Sequence, residues 1–149
     1  MRTIWYDMDG TIADLYKVED WLSYLRAYDP MPYKQAAVMH NMSLLARYLN
    51  KLQRAGYKLG IISWLSKCST PEYDELVTLA KLKWLKCHLP SVSWDEIHIV
   101  NYGVCKDTYR LDNNDILFDD EIKNRNEWNG ISYNPDNMME ILKKLVMET

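Results

Sequence analysis

Two carboxylates, Asp7 and Asp9, stand two residues apart where a short β-type run, Arg2-Thr3-Ile4-Trp5-Tyr6, gives way to Gly10. No other feature constrains the chain as much. A buried strand has little use for two acids at its tip, because an unpaired carboxylate there is costly to desolvate. A divalent cation and a phosphoryl group would give both a use. One aspartate then serves as nucleophile and metal ligand while the other moves protons. Taken alone, Asp-Met-Asp-Gly also fits a plain turn, so the rest of the chain must decide.

Beyond this segment, short β-type runs alternate with longer helical ones. That alternation predicts a parallel sheet with helices on both faces. Strands are expected at roughly 2–7, 58–63, 97–100, 115–119 and 131–133. A helix is expected over 18–28, with Trp21, Leu22 and Leu25 on one side, before Pro30 and Pro32 break the pattern. The clearest helix spans 43–55, with Ser43 as its cap and Gly56 just past its end. Another opens on Thr70 and Pro71 and runs through Leu76, Leu79 and Trp84 to a stop before Pro90. A last one covers 136–147. With no repeat, low-complexity tract or long linker, residues 1–149 read as one domain able to bury a core.

In open sheets of this kind, ligands bind beyond the carboxyl ends of the strands. The polar residues expected there are Asp7 and Asp9, Ser63, Asn101, and Asp119 with Asp120. Each has a plainer reading. Ser63 fits a strand-end cap, and Asp119-Asp120-Glu121 fits a solvated loop or a helix N-terminus that favours negative charge. Tyr16, Tyr28, Tyr33 and Trp64 either stack on a substrate or pack a small insertion onto the core. Asp14 is read as a helix cap.

Four ordered segments carry a resemblance. They are Asp7 to Asp14, the apolar run ending in Ser63, the isolated Lys106, and Leu117-Phe118-Asp119-Asp120-Glu121. Together they resemble the four motifs of the haloacid dehalogenase (HAD) superfamily of phosphotransferases, over residues 1 to about 130. The detail is most similar to the 5′(3′)-deoxyribonucleotidase-like branch. It rests on the Asp-Met-Asp-Gly-x-x-Ala-Asp form of the first motif, on Trp84-Leu85 ahead of Pro90, and on Asn124 and Trp128 after the paired aspartates.

The resemblance implies an α/β fold, a HAD-like Rossmannoid three-layer sandwich. Its five-stranded parallel sheet would run 5-4-1-2-3, with a small helical cap insertion at about 15–42 after the first strand. It implies Asp7 as nucleophile, Asp9 as general acid and base, and a Mg²⁺ site of Asp7, Asp9 (through its backbone carbonyl), Asp119 and Asp120. Thr11 would orient Asp9, and amides freed by the turn at Gly10 would face the phosphate. Ser63, the amides that follow it from Trp64 onward, and Lys106 would bind the phosphoryl group; Lys67 is the alternative lysine, and Lys123 sits just past the fourth motif. Tyr16, Tyr28 and Tyr33 are the candidate substrate contacts.

The implied function is Mg²⁺-dependent phosphomonoester hydrolysis through an aspartyl phosphate. The leading substrate is a (deoxy)nucleoside monophosphate, a small phosphorylated partner. Alternatives are a phosphotransferase, a phosphatase for a sugar phosphate or a nucleic-acid end, and a non-catalytic phosphate-binding protein.

Composition narrows the partners. The formal net charge is -3 and no basic stripe appears, so no stable nucleic-acid complex is expected. No run approaches a membrane span, and no signal-peptide stretch is evident. Cys68, Cys87 and Cys105 form no CxxC pair, which argues against a zinc site or disulfide framework and suits a reducing compartment. A cytoplasmic protein is therefore expected. His40, His88 and His98 share no ligand spacing. The oligomeric state is left open.

Overall fold

The computed structural model describes residues 2–149. Its centre is a parallel sheet of β1 (Thr3–Tyr6), β4 (Lys58–Trp64), β5 (Glu96–Val100), β6 (Ile116–Phe118) and β7 (Ile131–Tyr133). Neighbouring strands run in the order β7-β6-β1-β4-β5. Counted among themselves along the chain, these strands read 5-4-1-2-3. Two further strands, β2 (Ala13–Asp14) and β3 (Ala37–Val38), form an antiparallel ribbon that sequence patterning did not indicate. Between them lie a 3₁₀ turn at Leu15–Lys17, α1 (Trp21–Arg26) and α2 (Met31–Gln35). The helices beside the sheet are α3 (Met42–Arg54), α4 (Pro71–His88), α5 (Ile122–Glu127) and α6 (Met138–Met147).

Alternation along β1 sorts the core into layers. Ile4 and Tyr6 pack with Leu45, Leu49 and Leu52 of α3 and Met138, Leu142 and Leu145 of α6. Trp5 points to the other face, where it meets Ile62, Leu117 and Trp128. Gly60 is required beneath it, because a Cβ there would run into the Trp5 ring. A third cluster joins Leu15, Tyr33 and Leu65 to Tyr73, Val77 and Ala80. This cluster docks the 13–38 segment on α4, helped by Tyr73 Oη donating to the Asp29 carbonyl at 2.8 Å and Trp84 Nε1 to the Ala36 carbonyl at 2.8 Å.

Several local expectations are corrected. The helix expected over 18–28 shrinks to Trp21–Arg26, and none of its residues is buried. Met31–Gln35 is helical despite its proline, since Pro32 sits in the first turn where its missing N–H costs nothing. Asn41, not Ser43, caps α3 by accepting from the Leu44 amide. Asp14 makes no side-chain cap and instead pairs with Lys17 at 3.6 Å. On α4 the inward face is Tyr73, Val77, Ala80, Lys81, Trp84 and Leu85, while Leu76 and Leu79 are exposed. The leucine spacing misled because α4 has two partners, the sheet core and the 13–38 segment, so no single apolar stripe describes it.

At the amino end of β6, Asp115 is fully buried, with no ion pair among the described residues. Its carboxylate accepts from the Thr3, Leu111 and Asp112 amides and from Trp5 Nε1, at 2.9 to 3.2 Å. It thereby ties β1 to the turn before β6. Asp115→Ala would strand those donors and should lower unfolding stability by about 2–4 kcal/mol in a denaturant titration. An unchanged midpoint would show that this network is not a stabilising one.

Candidate active site

The carboxyl ends of β1, β4 and β6 open onto a cavity of about 580 Å³. One wall comes from the sheet, with Asp7, Asp9, Trp64, Asp119 and Asp120; the opposite wall comes from the 13–38 segment, with Leu15, Tyr16, Trp21, Leu22, Leu25, Tyr28 and Tyr33. The apolar side chains of α1 that the core does not use are thus spent on this wall.

Asp7 leaves β1 with one carboxylate oxygen accepting from Lys106 Nζ at 2.9 Å and the other from Thr11 Oγ1 at 3.2 Å. The sequence expectation gave Thr11 to Asp9; the hydroxyl serves Asp7 instead. Lys106 also donates to Asp119 Oδ2 at 2.7 Å, so it bridges the first and fourth segments. Burial alone would lower its pKa, but the Asp7 and Asp119 charges outweigh that and hold it above its ordinary value. Neither alternative lysine does this: Lys67 is exposed with its ammonium 5.9 Å from the Tyr102 ring centroid, and Lys123 lies 3.8 Å from Glu127.

Asp119 is fully buried and heavily supported. Its oxygens accept from the Glu121 amide at 2.9 Å and from Asn124 Nδ2 at 3.1 Å, besides Lys106. Asp120 approaches the turn after β1 from the other side. A Cβ on Gly10 would collide with its carboxylate, and Gly10 also has a φ of +83°, so glycine is needed twice over. The amides of Gly10 and Thr11 are consumed within the turn, by the Ala13 and Met8 carbonyls.

Ser63 departs from the expectation in a telling way. It is fully buried, does not line the cavity, and its Oγ accepts from Lys81 Nζ at 2.6 Å. In the following loop the Leu65 amide is taken by the Val100 carbonyl at 2.7 Å. Trp64 lines the cavity but its indole N–H is spent on the Val104 carbonyl at 2.9 Å. Tyr16 and Tyr28 are about half exposed at 46% and 49%, whereas Tyr33 is packed in, with its hydroxyl bonded to that of Ser66. Of these three, Tyr16 and Tyr28 are therefore the ones free to meet a ligand, and Tyr102, also on the cavity wall and 50% exposed, joins them.

Lys81 escaped sequence reasoning altogether. It lies on α4 at 1% exposure and donates to Asp9 Oδ2 at 2.9 Å, to Ser63 Oγ and to the Trp64 carbonyl at 2.7 Å. The available signal was its place on the Tyr73, Val77, Lys81, Leu85 stripe, four residues apart each time, where a solvated lysine has no business.

The donor set suits a hard divalent cation. Carboxylate oxygens of Asp7, Asp119 and Asp120 lie within 4.8 Å of one another, while the Asp9 side chain is turned away onto Lys81. Among the described residues, these four carboxylates share two ammonium groups, so two negative charges would go unbalanced if all four acids were ionised. The imbalance shows in the acids themselves. Burial first, and then the Asp7 charge, push Asp120 up to about 8 and Asp119 to about 6. Asp9 is also raised, by burial, against the opposing pull of Lys81. Oxygen ligands of this charge are what Mg²⁺ takes.

No protein-family model and no curated protein matches the chain. Solved structures do match in fold, two of them heptose bisphosphate phosphatases. One is a D,D-heptose 1,7-bisphosphate phosphatase from B. bronchiseptica complexed with magnesium and phosphate, with a TM-score of 0.60, 12% identity and full coverage of both chains. The other is a D,D-heptose 1,7-bisphosphate phosphatase from Burkholderia thailandensis, with a TM-score of 0.52 and 15% identity over 85% of this chain and 70% of that one. At such identities the likeness establishes the HAD-like α/β fold and nothing finer. Among the described residues no helix is long and apolar enough to cross a membrane.

The raised carboxyls set a pH dependence. A raised acid favours the folded state while protonated, so the contribution of Asp119 and Asp120 is complete below about pH 4 and is lost as pH climbs through about 6 and 8. Melting curves of metal-free protein should show this decline, and Asp120→Asn should remove its upper part. Identical pH profiles for the two proteins would mean Asp120 is not crowded by its neighbours.

Proposed function

We propose that the chain is a Mg²⁺-dependent phosphomonoester hydrolase that carries the phosphoryl group on Asp7. The observation behind this reading is the cradle itself: a buried nucleophile-grade carboxylate held by Lys106 and Thr11, beside two acids without enough positive charge, at the mouth of a ligand-sized cavity. Asp7 attacks phosphorus, and the ester P–O bond breaks as Asp9 gives its proton to the leaving oxygen. Water then attacks the aspartyl phosphate, Asp9 takes a proton from it, and Asp7 is released. Lys106 offsets the repulsion between Asp7 and the incoming phosphoryl oxygens. When bound by Asp7, Asp119, Asp120 and the Asp9 carbonyl, Mg²⁺ would supply positive charge against the transferring group.

For the substrate, the wall of Tyr16, Trp21, Tyr28 and Trp64 supports an ester with a flat apolar portion, for which a nucleoside monophosphate is the leading candidate. A sugar phosphate is the second reading, favoured by the names of the two fold neighbours. A cytoplasmic location remains part of the proposal.

With p-nitrophenyl phosphate and Mg²⁺, phosphate release is expected, EDTA should abolish it, and Asp7→Asn should cut it at least about 1000-fold. Activity insensitive to both would remove the proposed mechanism. A panel of nucleoside monophosphates and sugar phosphates then selects the class. Higher kcat/KM for nucleotides, reduced by Tyr16→Ala or Tyr28→Ala, supports the first reading, and preference for sugar phosphates supports the second.

A further inference from the structure

We infer that Lys81 is a positioning residue that aims the proton of Asp9 at the leaving group; this rests on the phosphohydrolase reading above. An ammonium has three hydrogens and no acceptor. Here all three are matched: Asp9 Oδ2 at 2.9 Å, Ser63 Oγ at 2.6 Å and the Trp64 carbonyl at 2.7 Å. The three acceptors come from the turn after β1 and from the end of β4, while Lys81 comes from α4. The ring of Tyr33, centred 5.1 Å from Nζ, closes the remaining side. A lysine so enclosed, at 1% exposure, has no freedom to swing out to water.

The consequence falls on Asp9. Its Oδ2 is committed to Lys81, and Oδ1 has no hydrogen-bond partner among the described residues, although Asp9 lines the cavity. A carboxyl proton does not sit on the oxygen that receives an ammonium N–H. It sits on Oδ1, the oxygen left for the cavity. Lys81 therefore selects which oxygen carries the proton and fixes where that oxygen points. In the first half-reaction the proton passes from Oδ1 to the departing alkoxide as the P–O ester bond breaks. In the second, the attacking water returns one to the same atom as the Asp7–phosphorus bond breaks. Ser63 gains a different role from the one expected of it, as part of the socket that holds Lys81.

General acid help matters for poor leaving groups and little for p-nitrophenolate, which departs without a proton. The test is the loss of kcat/KM in Lys81→Met for p-nitrophenyl phosphate, phenyl phosphate and the best alkyl ester of the panel. The expected loss is about 100-fold on the alkyl ester and under about 10-fold on p-nitrophenyl phosphate. Asp9→Asn should show a steeper split in the same direction. Lys81→Arg keeps the charge but cannot converge three donors on one point, so it should show the split as well, and it serves if the methionine variant does not fold.

Equal losses across all three esters, or a lowered melting temperature with unchanged kinetics, would make Lys81 a merely structural residue and overturn the inference. Wild-type protein that hydrolyses none of the esters would instead bring down the phosphohydrolase reading itself.

Discussion

Crowding of negative charge at the carboxyl edge of the sheet is the condition to which the rest of the molecule answers. Asp7, Asp9, Asp119 and Asp120 meet at one site, and among the described residues Lys81 and Lys106 are the cations paired with them. A carboxylate removed from water without a partner is among the costliest things a fold can contain. Three of the four acids are accordingly given donors. Lys106 joins Asp7 to Asp119, and Lys81 clamps Asp9. Thr11, Asn124 and the Glu121 amide fill remaining acceptor sites. With all four acids ionised, two charges would be left over, the number that a divalent cation supplies.

The topology explains how such a cluster can be assembled at all. Placing β1 between β4 and β6 brings the first segment beside both the strand that leads to α4 and the strand that ends in Asp119. Gly10 lets the turn after β1 fold tightly enough for Asp120 to approach. The 13–38 segment then closes over the opening, and it is held by α4 through Tyr73 and Trp84 rather than hanging free. A single helix thus anchors the lid wall and delivers the buried lysine beneath it. Positions on α4 that look like ordinary packing therefore bear on the site.

Sequence reasoning went furthest where a residue's chemistry conflicts with its surroundings. Asp7 and Asp9 behind an apolar strand, and Asp119 and Asp120 behind another, are anomalies that only a shared site resolves, and the structure brings all four together. Lys106 was legible by its position ahead of the acidic strand end. The failures have a common cause, which is that a helix or strand with partners on two sides loses its simple period. On α4, Leu76 and Leu79 attracted the core assignment that belongs to Val77 and Ala80, and Lys81, buried on that same inward face, drew no reading at all. Ser63 was placed correctly at a strand end, but its partner could not be known without the neighbouring helix. The β2–β3 ribbon is too short for any periodicity to announce it.

The most direct test concerns Asp7 itself. Protein mixed with substrate and Mg²⁺, quenched in acid within the turnover time and digested for mass spectrometry, should carry a phosphoryl group on the peptide containing Asp7, and Asp7→Asn protein should carry none. Turnover without a covalent adduct, or an adduct on another residue, would contradict the account.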